Sequence, residues 1–473
     1  MNVLFANPPW KKEEGRYGVR AGSRWPFTMP ASGPDCLPYV PFPFFLAYGA
    51  ALLAARSDAR VLAVDAIAEG LDDAGYDRRV ASFAPDIIVA ETSQASFPQD
   101  IRHAAKAREM LPGVCYVLAG PQASVAPEAI LNRYPEVAYC LVGEYEWTAL
   151  DLVTALSGPD FTPSRIAGLA WRDGQGAPRV NPRRELGPLS ELPWPDYRQF
   201  PMDRYKDYFC GISGLMVNMV ASRGCPHRCS FCLWPEVMYG GHAYRVRDVA
   251  DVADEMAFLV ATYGFKTVYF DDDTFNLGKK RILRLAEEIR NRQTRVDLAI
   301  MARADSMDEE MLAALRGVGL VAVKYGLESA SPDILKRCGK GLDLEAAKRM
   351  IRFTKSLGVK VHLTFTVGLP GETRQTIEDS IRLALELDTE SIQVSLATPF
   401  PGTPFYAYVA SHGYLASSQG DLFDGSHCCV ARTEALSCRE IEEGFREFQA
   451  AWKAHRQSKE RASAPDQPVH PLL

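Results

Sequence analysis

Short, almost uninterrupted apolar runs alternate with amphipathic stretches along the N-terminal third of the chain. The runs at 3–6, 61–64, 87–90, 116–119 and 138–142 read as strands buried on both faces. Stretches such as 98–111 and 147–156 carry apolar residues at helical spacing. Strands buried on both faces and joined by helices predict parallel pairing with right-handed crossovers, and so a doubly wound α/β sheet. Ligands of such sheets bind beyond the carboxyl ends of the strands. The expected binding loops are therefore Asn7-Pro8-Pro9-Trp10, Asp65-Ala66-Ile67, Glu91-Thr92-Ser93, Gly120-Pro121-Gln122 and Gly143-Glu144.

A change of pattern follows. Residues 169–174 and 178–180 flank a Gly-containing turn and predict a small hairpin, and the Pro-rich stretch 192–197 predicts a stiff, extended crossing. A second βα series then begins, with strands at 215–221, 267–271, 297–301, 321–326, 360–367 and 391–397 and helices such as 279–292 and 373–387. Six βα units in sequence predict a partial (βα)6 barrel of TIM type, with its site again at the strand C-termini. The end of the chain holds a loop with Cys428-Cys429, an amphipathic helix at 439–455 and a polar tail expected to be disordered. The expected divisions are 1–158, a linker at 159–208, 209–412 and a C-terminal extension at 413–473.

Composition narrows the function classes. Hydrophobic residues at 47% and charged residues at 24% fit a globular chain, and a net charge of -6 argues against a broad basic surface for nucleic acid. The longest apolar stretch, 40–55, is broken by Pro41 and Pro43 and is shorter than the roughly 18–20 residues that span a bilayer. No membrane span is expected. The first residues lack a basic n-region and read as a strand, so a cytoplasmic location is expected. Eleven cysteines is an odd count that does not suit a disulfide framework.

Three of those cysteines crowd one loop. Cys225-Pro226-His227-Arg228-Cys229-Ser230-Phe231-Cys232 reads C-x3-C-x2-C directly after the first strand of the second series. Three thiolates on one tight loop can ligate three irons of a cubane cluster, leaving the fourth iron open to a chelating ligand. The competing reading is structural zinc with His242 as fourth ligand, although zinc motifs usually come as two separated ligand pairs. Flanking Arg223, His227 and Arg228 are expected to favour the thiolate forms.

This motif, in this place, resembles the radical S-adenosylmethionine (SAM) superfamily. The resemblance implies a [4Fe–4S] cluster on Cys225, Cys229 and Cys232 that binds SAM and cleaves it to a 5′-deoxyadenosyl radical. It implies adenine contact at Phe231. Asp271, Asp272 and Asp273 stand where many members have acceptors for the cofactor's amino group, with helix capping as the other reading of Asp273 and Thr274. Arg303 would pair with the cofactor carboxylate, Glu328 and Ser329 would contact its carboxylate or ribose, and Leu369 would lie along the adenine. Trp234, His242, Tyr244 and Arg245, after the cluster loop, are candidates for substrate contact or for packing of that loop.

A doubly wound domain before such a barrel resembles the cobalamin-dependent class of the superfamily. The expected fold is α/β throughout: a Rossmann-like cobalamin-binding domain, a partial radical SAM barrel and a short helical extension. The D-x-H-x-x-G fingerprint of many cobalamin proteins becomes Asp65-Ala66-Ile67-Ala68-Glu69-Gly70, with Ile67 in the histidine position. Cobalt with no protein histidine beneath it is implied. The cobalamin contacts would come from Asn7, Pro8, Trp10, Asp65, Ile67, Thr92, Ser93, Gly120, Gln122, Gly143 and Glu144. The implied activity is methylation of an unactivated carbon of a small molecule, with an external electron donor such as flavodoxin or ferredoxin. The alternatives are radical cyclisation or ring contraction on the same architecture, and a non-catalytic metal or cobalamin sensor.

Overall fold

The computed structural model describes residues 1–12, 15–20, 26–30, 39–207, 209–212, 214–425 and 428–463. The expected disordered tail therefore falls, from 464 onward, outside the described residues.

The strands in chain order begin with β1 (Asn2–Asn7), then β2 (Lys11–Lys12), β3 (Arg16–Val19), β4 (Phe27–Pro30), β5 (Arg60–Asp65), β6 (Ile87–Glu91), β7 (Cys115–Ala119), β8 (Tyr139–Leu141), β9 (Leu169–Arg172) and β10 (Pro178–Val180). Seven of them form one sheet in the order β10-β9-β8-β7-β6-β1-β5. β1 pairs in parallel with both β5 and β6, so the chain runs outward to β5 and then crosses to the other side of β1. The switch point lies between β1 and β6, where a crevice opens at the strand C-termini. Alternate residues of one strand serve opposite cores. Val3, Phe5 and Val89 face one side, and Leu4, Ala6 and Ile88 the other.

Two features depart from the sequence pattern. The 169–180 hairpin is not a free-standing linker element, because β9 pairs antiparallel with β8 and extends the sheet. Its backbone covers the edge that β8 would otherwise expose. β2, β3 and β4 form a separate antiparallel sheet that periodicity did not predict, since two-to-four-residue strands carry too little alternation to register.

The barrel strands are β11 (Met216–Met219), β14 (Thr267–Phe270), β15 (Asp297–Ala302), β16 (Leu320–Glu328), β17 (Lys360–Val367) and β18 (Ser391–Leu396). They pair in sequence order in one six-stranded parallel sheet. A two-stranded ribbon, β12 (Ser222–Arg223) with β13 (Arg245–Val246), stands at the top of β11. The apolar run after Pro41 and Pro43 becomes the helix Phe44–Arg56, buried at every position from Phe44 to Leu53. A helix that is apolar all round needs cover all round. Here the N-terminal sheet lies on one side, and barrel residues such as Trp234, stacked on Phe45 at 4.9 Å, lie on the other. One continuous core therefore runs through both halves. The last helix, Cys438–Ser463, is longer than expected and packs back on the barrel through Phe448 against Phe365. Among the described residues no helix is long and apolar enough to cross a membrane.

Candidate active site at the domain junction

The three-cysteine loop is a closed excursion. β12 and β13 pair at its neck, and a Cβ on Gly224 would stand 1.9 Å from the Ala243 carbonyl oxygen, so only glycine fits there. Residues Trp234–Met238 then form a π-helical turn. Such turns are rare and recur at functional sites. Cys225, Cys229 and Cys232 are half-buried and none is part of a disulfide. Phe231 and Leu369 join one apolar cluster with Cys338, Ala397 and Ala431.

Carboxylates hold this loop from below. Asp272 accepts the Ala221 N–H at 2.8 Å and the Ser222 hydroxyl. Asp273 accepts the Gly224 N–H at 2.9 Å and the Tyr239 hydroxyl at 2.8 Å. Burial pushes Asp272 up to about 6. Of the three aspartates, two thus brace the cluster loop, and Asp273 does not cap the following helix, which starts after Gly278. Asp271 is buried at the top of β14, with the Asn218 amide 3.5 Å away.

The electrostatics around the thiols differ from the expectation drawn from flanking residues. Arg223 turns away toward the N-terminal domain, where it pairs with Glu146 at 2.6 Å and Glu144 at 3.6 Å, 4.3 Å from the centre of the Phe45 ring. Its charge is neutralised there. Burial, with Arg303 adding to it, lowers His227 to about 4, so this imidazole is neutral. Burial raises the Cys229 thiol, and the largest opposing influence is Lys340, a residue that the sequence did not single out. Lys340 is buried and bonded to Glu328 at 2.9 Å. Its loop touches the cysteine loop directly, since Ser230 N–H donates to Cys338 O at 2.8 Å. The available signal was Gly339, where a Cβ would strike the Arg228 carbonyl oxygen at 2.3 Å.

Glu328 ends β16 with φ of 71°, strained for a residue with a side chain. Three donors fix its carboxylate: Lys340, Thr364 at 3.1 Å and Thr366 at 2.8 Å. Ser329 is fully buried beside it. Arg303 is committed to Asp305 at 2.7 Å and to the Lys340 carbonyl at 3.0 Å. After β17, Glu372 folds back to accept the Gly368 N–H, and burial pushes it up to about 8. A carboxyl held neutral in the fold binds a proton that the unfolded chain releases near its ordinary value. Its contribution to stability is therefore full below about pH 4.5 and is lost as pH rises through about 8. Glu372→Gln should flatten that loss, seen as urea midpoints that differ less between pH 6 and pH 8.5 than in the parent.

The N-terminal loops reach the same junction. Asn7 donates to Asp65 at 2.8 Å, and Asp65 also accepts the Ala68 N–H and the Tyr205 hydroxyl, with burial raising it to about 6. Ile67 is half-buried in that turn. Pro8 O accepts from the buried Arg20, and Trp10 lies under Gly18. Thr92 and Ser93 are buried at the end of β6, with Ser93 bonded to Ser96. A Cβ on Gly120 would stand 2.8 Å from Thr92 O, so these two loops are in backbone contact. Gly143 N–H donates to Ser124, and Glu144 pairs with Arg245 as well as Arg223. His242 faces Glu236 at 3.1 Å, Trp234 packs on Phe45, and Tyr244 lies against Arg281. His103 is packed, bonded to Pro9 O at 3.0 Å. Cys428 and Cys429 lie in the C-terminal loop, with Cys429 buried. Between the domains lies a small cavity whose walls include Ser93, Pro121 and Gln122 on one side and Leu233, Phe400 and Pro401 on the other. Leu233 directly follows Cys232.

Comparison with known proteins agrees with this geometry. The radical SAM superfamily profile matches residues 219–384. An uncharacterized methyltransferase of Pyrococcus horikoshii is 32% identical over 376 residues, which is 79% of each chain. The chain belongs to the radical SAM superfamily. An anaerobic magnesium-protoporphyrin IX monomethyl ester cyclase of Rubrivivax gelatinosus is 26% identical over 417 residues, 85% of this chain and 68% of that one. The radical SAM methyltransferase TsrM of Kitasatospora setae, solved with cobalamin and a [4Fe-4S] cluster, shares the fold. Its TM-score is 0.67 at 20% identity, over 87% of this chain and 86% of that one. The donor set of this radical SAM protein suits such a cluster: three cysteines outside any disulfide on one glycine-necked loop, each able to offer a thiolate to a separate iron.

Proposed function

We propose that this radical SAM protein is a cobalamin-dependent C-methyltransferase that acts on an unactivated carbon of a small molecule. The observation that carries the reading is the junction at which loops from the strand ends of both sheets meet, Gln122 and Ser93 lining one small cavity with Leu233 beside the cysteine loop. A [4Fe–4S] cluster with SAM would supply a hydrogen-abstracting radical there, and cobalamin a transferable methyl group. Placing the substrate between the two halves turns two encounters into one fixed geometry.

In this reading Cys225, Cys229 and Cys232 hold the cluster, and Phe231 and Leu369 enclose the adenine. Asp271, Ser329 and the Glu328–Lys340 pair meet the polar end of SAM, while Arg303, Asp272 and Asp273 keep that end of the barrel in shape. The N-terminal domain, 1–158, cradles cobalamin through Asn7, Pro8, Trp10, Asp65, Ile67, Thr92, Ser93, Gly120, Gln122, Gly143 and Glu144. The fit rests on the close backbone approach at Gly120 and on two buried polar atoms at the switch point. Asn7 Oδ1 and Arg20 Nη1 have no hydrogen-bond partner among the described residues. With Ile67 where a histidine would stand, that turn would offer cobalamin no imidazole. The segment 159–208 adds its hairpin to the N-terminal sheet and leads into the barrel unit at 209–412, and the extension from 413 packs on that barrel. A one-electron donor such as flavodoxin or ferredoxin, and the cytoplasm as a reducing location, complete the proposal.

The test is anaerobic reconstitution with iron, sulfide and cobalamin. The expected results are iron–sulfur and cobalamin absorption, and 5′-deoxyadenosine on reduction with SAM. Bound zinc without 5′-deoxyadenosine would sink the reading. The cyclase among the relatives favours one alternative, radical cyclisation without methyl transfer. Product mass separates the two, since only methyl transfer adds a methyl group to the substrate.

A further inference from the structure

The cluster loop has two faces. Its second half turns toward the N-terminal domain, with Leu233 and Trp234 buried there. Its first half turns outward, and Pro226 and Arg228 are exposed. Cys229 lies between Arg228 and Ser230, whose N–H donates to Cys338 O at 2.8 Å. The short helix Pro332–Arg337 ends beside this outer face. Gly339 N–H closes its last turn on Lys336 O at 3.0 Å, and Gly339 in turn lies against the Arg228 carbonyl. Arg228, Lys336 and Arg337, all exposed, therefore stand together at one side of the loop.

The rim continues from there. Arg337 lies along Gly371, where a Cβ would stand 2.9 Å from its Cδ. Gly371 N–H donates to Glu434 at 3.0 Å, and Glu434 also accepts the Tyr408 hydroxyl. Tyr408 faces Tyr414, their ring centres 6.1 Å apart, and Arg432 lies over the Tyr414 ring at 4.3 Å. Four cations and two half-buried tyrosines thus follow one another along this edge. Among the described residues, none of the four cations has a carboxylate within ion-pair distance. The chain as a whole carries a charge of -6, so a rim of unpaired cations runs against its own average. Arginine beside tyrosine is enriched where proteins meet.

We propose that this rim is the docking surface for an acidic electron-carrier protein, a docking that rests on the radical SAM reading above and places the donor away from the N-terminal domain. One electron leaves the reduced flavin or iron–sulfur centre of the carrier, the cluster gains it, and no atom is transferred. A carrier seated there meets the loop at Arg228, one residue from Cys229, while the buried face of the loop stays with the substrate side. Complementary charge speeds such an encounter and makes it sensitive to salt. Nucleic acid is the other polyanion that cations attract. The rim is local and the chain net acidic, which favours a compact protein partner over a long polyanion.

The test is titration of the reconstituted full chain with an acidic flavodoxin carrying a fluorescent label, read by anisotropy. Saturable binding is expected at about 20 mM salt, weakened about tenfold or more at about 300 mM. Lys336→Glu combined with Arg337→Glu should weaken binding about tenfold or more at low salt. Lys453→Glu, at an exposed cation further along the last helix, should leave it unchanged. The double variant should also raise the flavodoxin KM for 5′-deoxyadenosine formation. Its rate with reduced methyl viologen, a small cationic donor that needs no docking surface, should match the wild type. No saturable binding, equal binding by the double variant, or an equal loss of rate with both reductants would each overturn the proposal. Tighter binding of a DNA or RNA oligonucleotide than of flavodoxin would overturn it too, and mark a nucleic-acid surface. Absence of 5′-deoxyadenosine from the wild type with methyl viologen would sink the radical reading, and the titration would still decide whether the rim binds the carrier.

Discussion

Replacing Cys229 by Ala is expected to abolish 5′-deoxyadenosine formation and to leave the reconstituted protein with little bound iron. The three thiols share one loop, and among the described residues no other cysteine lies on it. Cys338, whose loop abuts it, is fully buried with its thiol turned to Leu335 O at 3.5 Å. Cys229 also sits where the local charge is arranged, beside Lys340, which opposes the effect of burial on the thiol. Loss of one ligand from a three-thiolate set should therefore reduce cluster assembly by orders of magnitude, since neither spacing nor charge offers a substitute. Iron content and 5′-deoxyadenosine are the measurements, with Cys140→Ala as control. Cys140 is buried in the N-terminal sheet, remote in role, and its loss should spare both readouts. Wild-type iron content in Cys229→Ala would overturn the assignment of the cluster ligands.

How far the sequence could lead depended on the range of each interaction. The cysteine loop was legible because its ligands lie within eight residues and follow a strand whose apolar run is unmistakable. The order of both sheets was legible because strands buried on both faces leave continuous apolar runs. Lys340 was hidden, since its partner Glu328 lies twelve positions away and its neighbour Cys229 more than a hundred. Asp272 and Asp273 were recognised as carboxylates at a strand end, but no spacing rule tells a ligand acceptor from a brace. Which backbone N–H groups need an acceptor is decided only when the loop closes. Arg223 was read as a neighbour of the thiols, yet its guanidinium serves the opposite domain. The hairpin at 169–180 was seen as a hairpin, and only the exposed edge of β8 explains why it joins the sheet.

Arg223→Met should give the largest loss of stability of any substitution at the junction. The guanidinium and the Glu146 carboxylate are almost fully buried, and Glu144 is half-buried. Arg223 pairs with Glu146 at 2.6 Å, packs 4.3 Å from the Phe45 ring centre and 5.2 Å from that of Tyr48. Both rings belong to the helix sandwiched between the two halves. Removing one partner of a buried pair leaves the other charge without compensation, at about 3–5 kcal/mol. Methionine fills much of the arginine stem's volume, so the loss would report on charge more than on packing. Glu144 retains Arg245, so Glu146 bears the consequence. Burial already raises Glu146, and Arg223 is the largest influence opposing it. In the single variant this carboxyl should take up a proton in the fold, which makes stability fall more steeply as pH rises past its unfolded value. The double variant Arg223→Met, Glu146→Gln removes the orphaned charge and should recover part of the urea midpoint. Equal midpoints for single and double variants would mean that the two side chains do not act as a pair. Partial recovery would show that the residue next to the cluster loop is bonded to the N-terminal domain by charge, and that this buried ion pair helps to hold the two halves of the site in place.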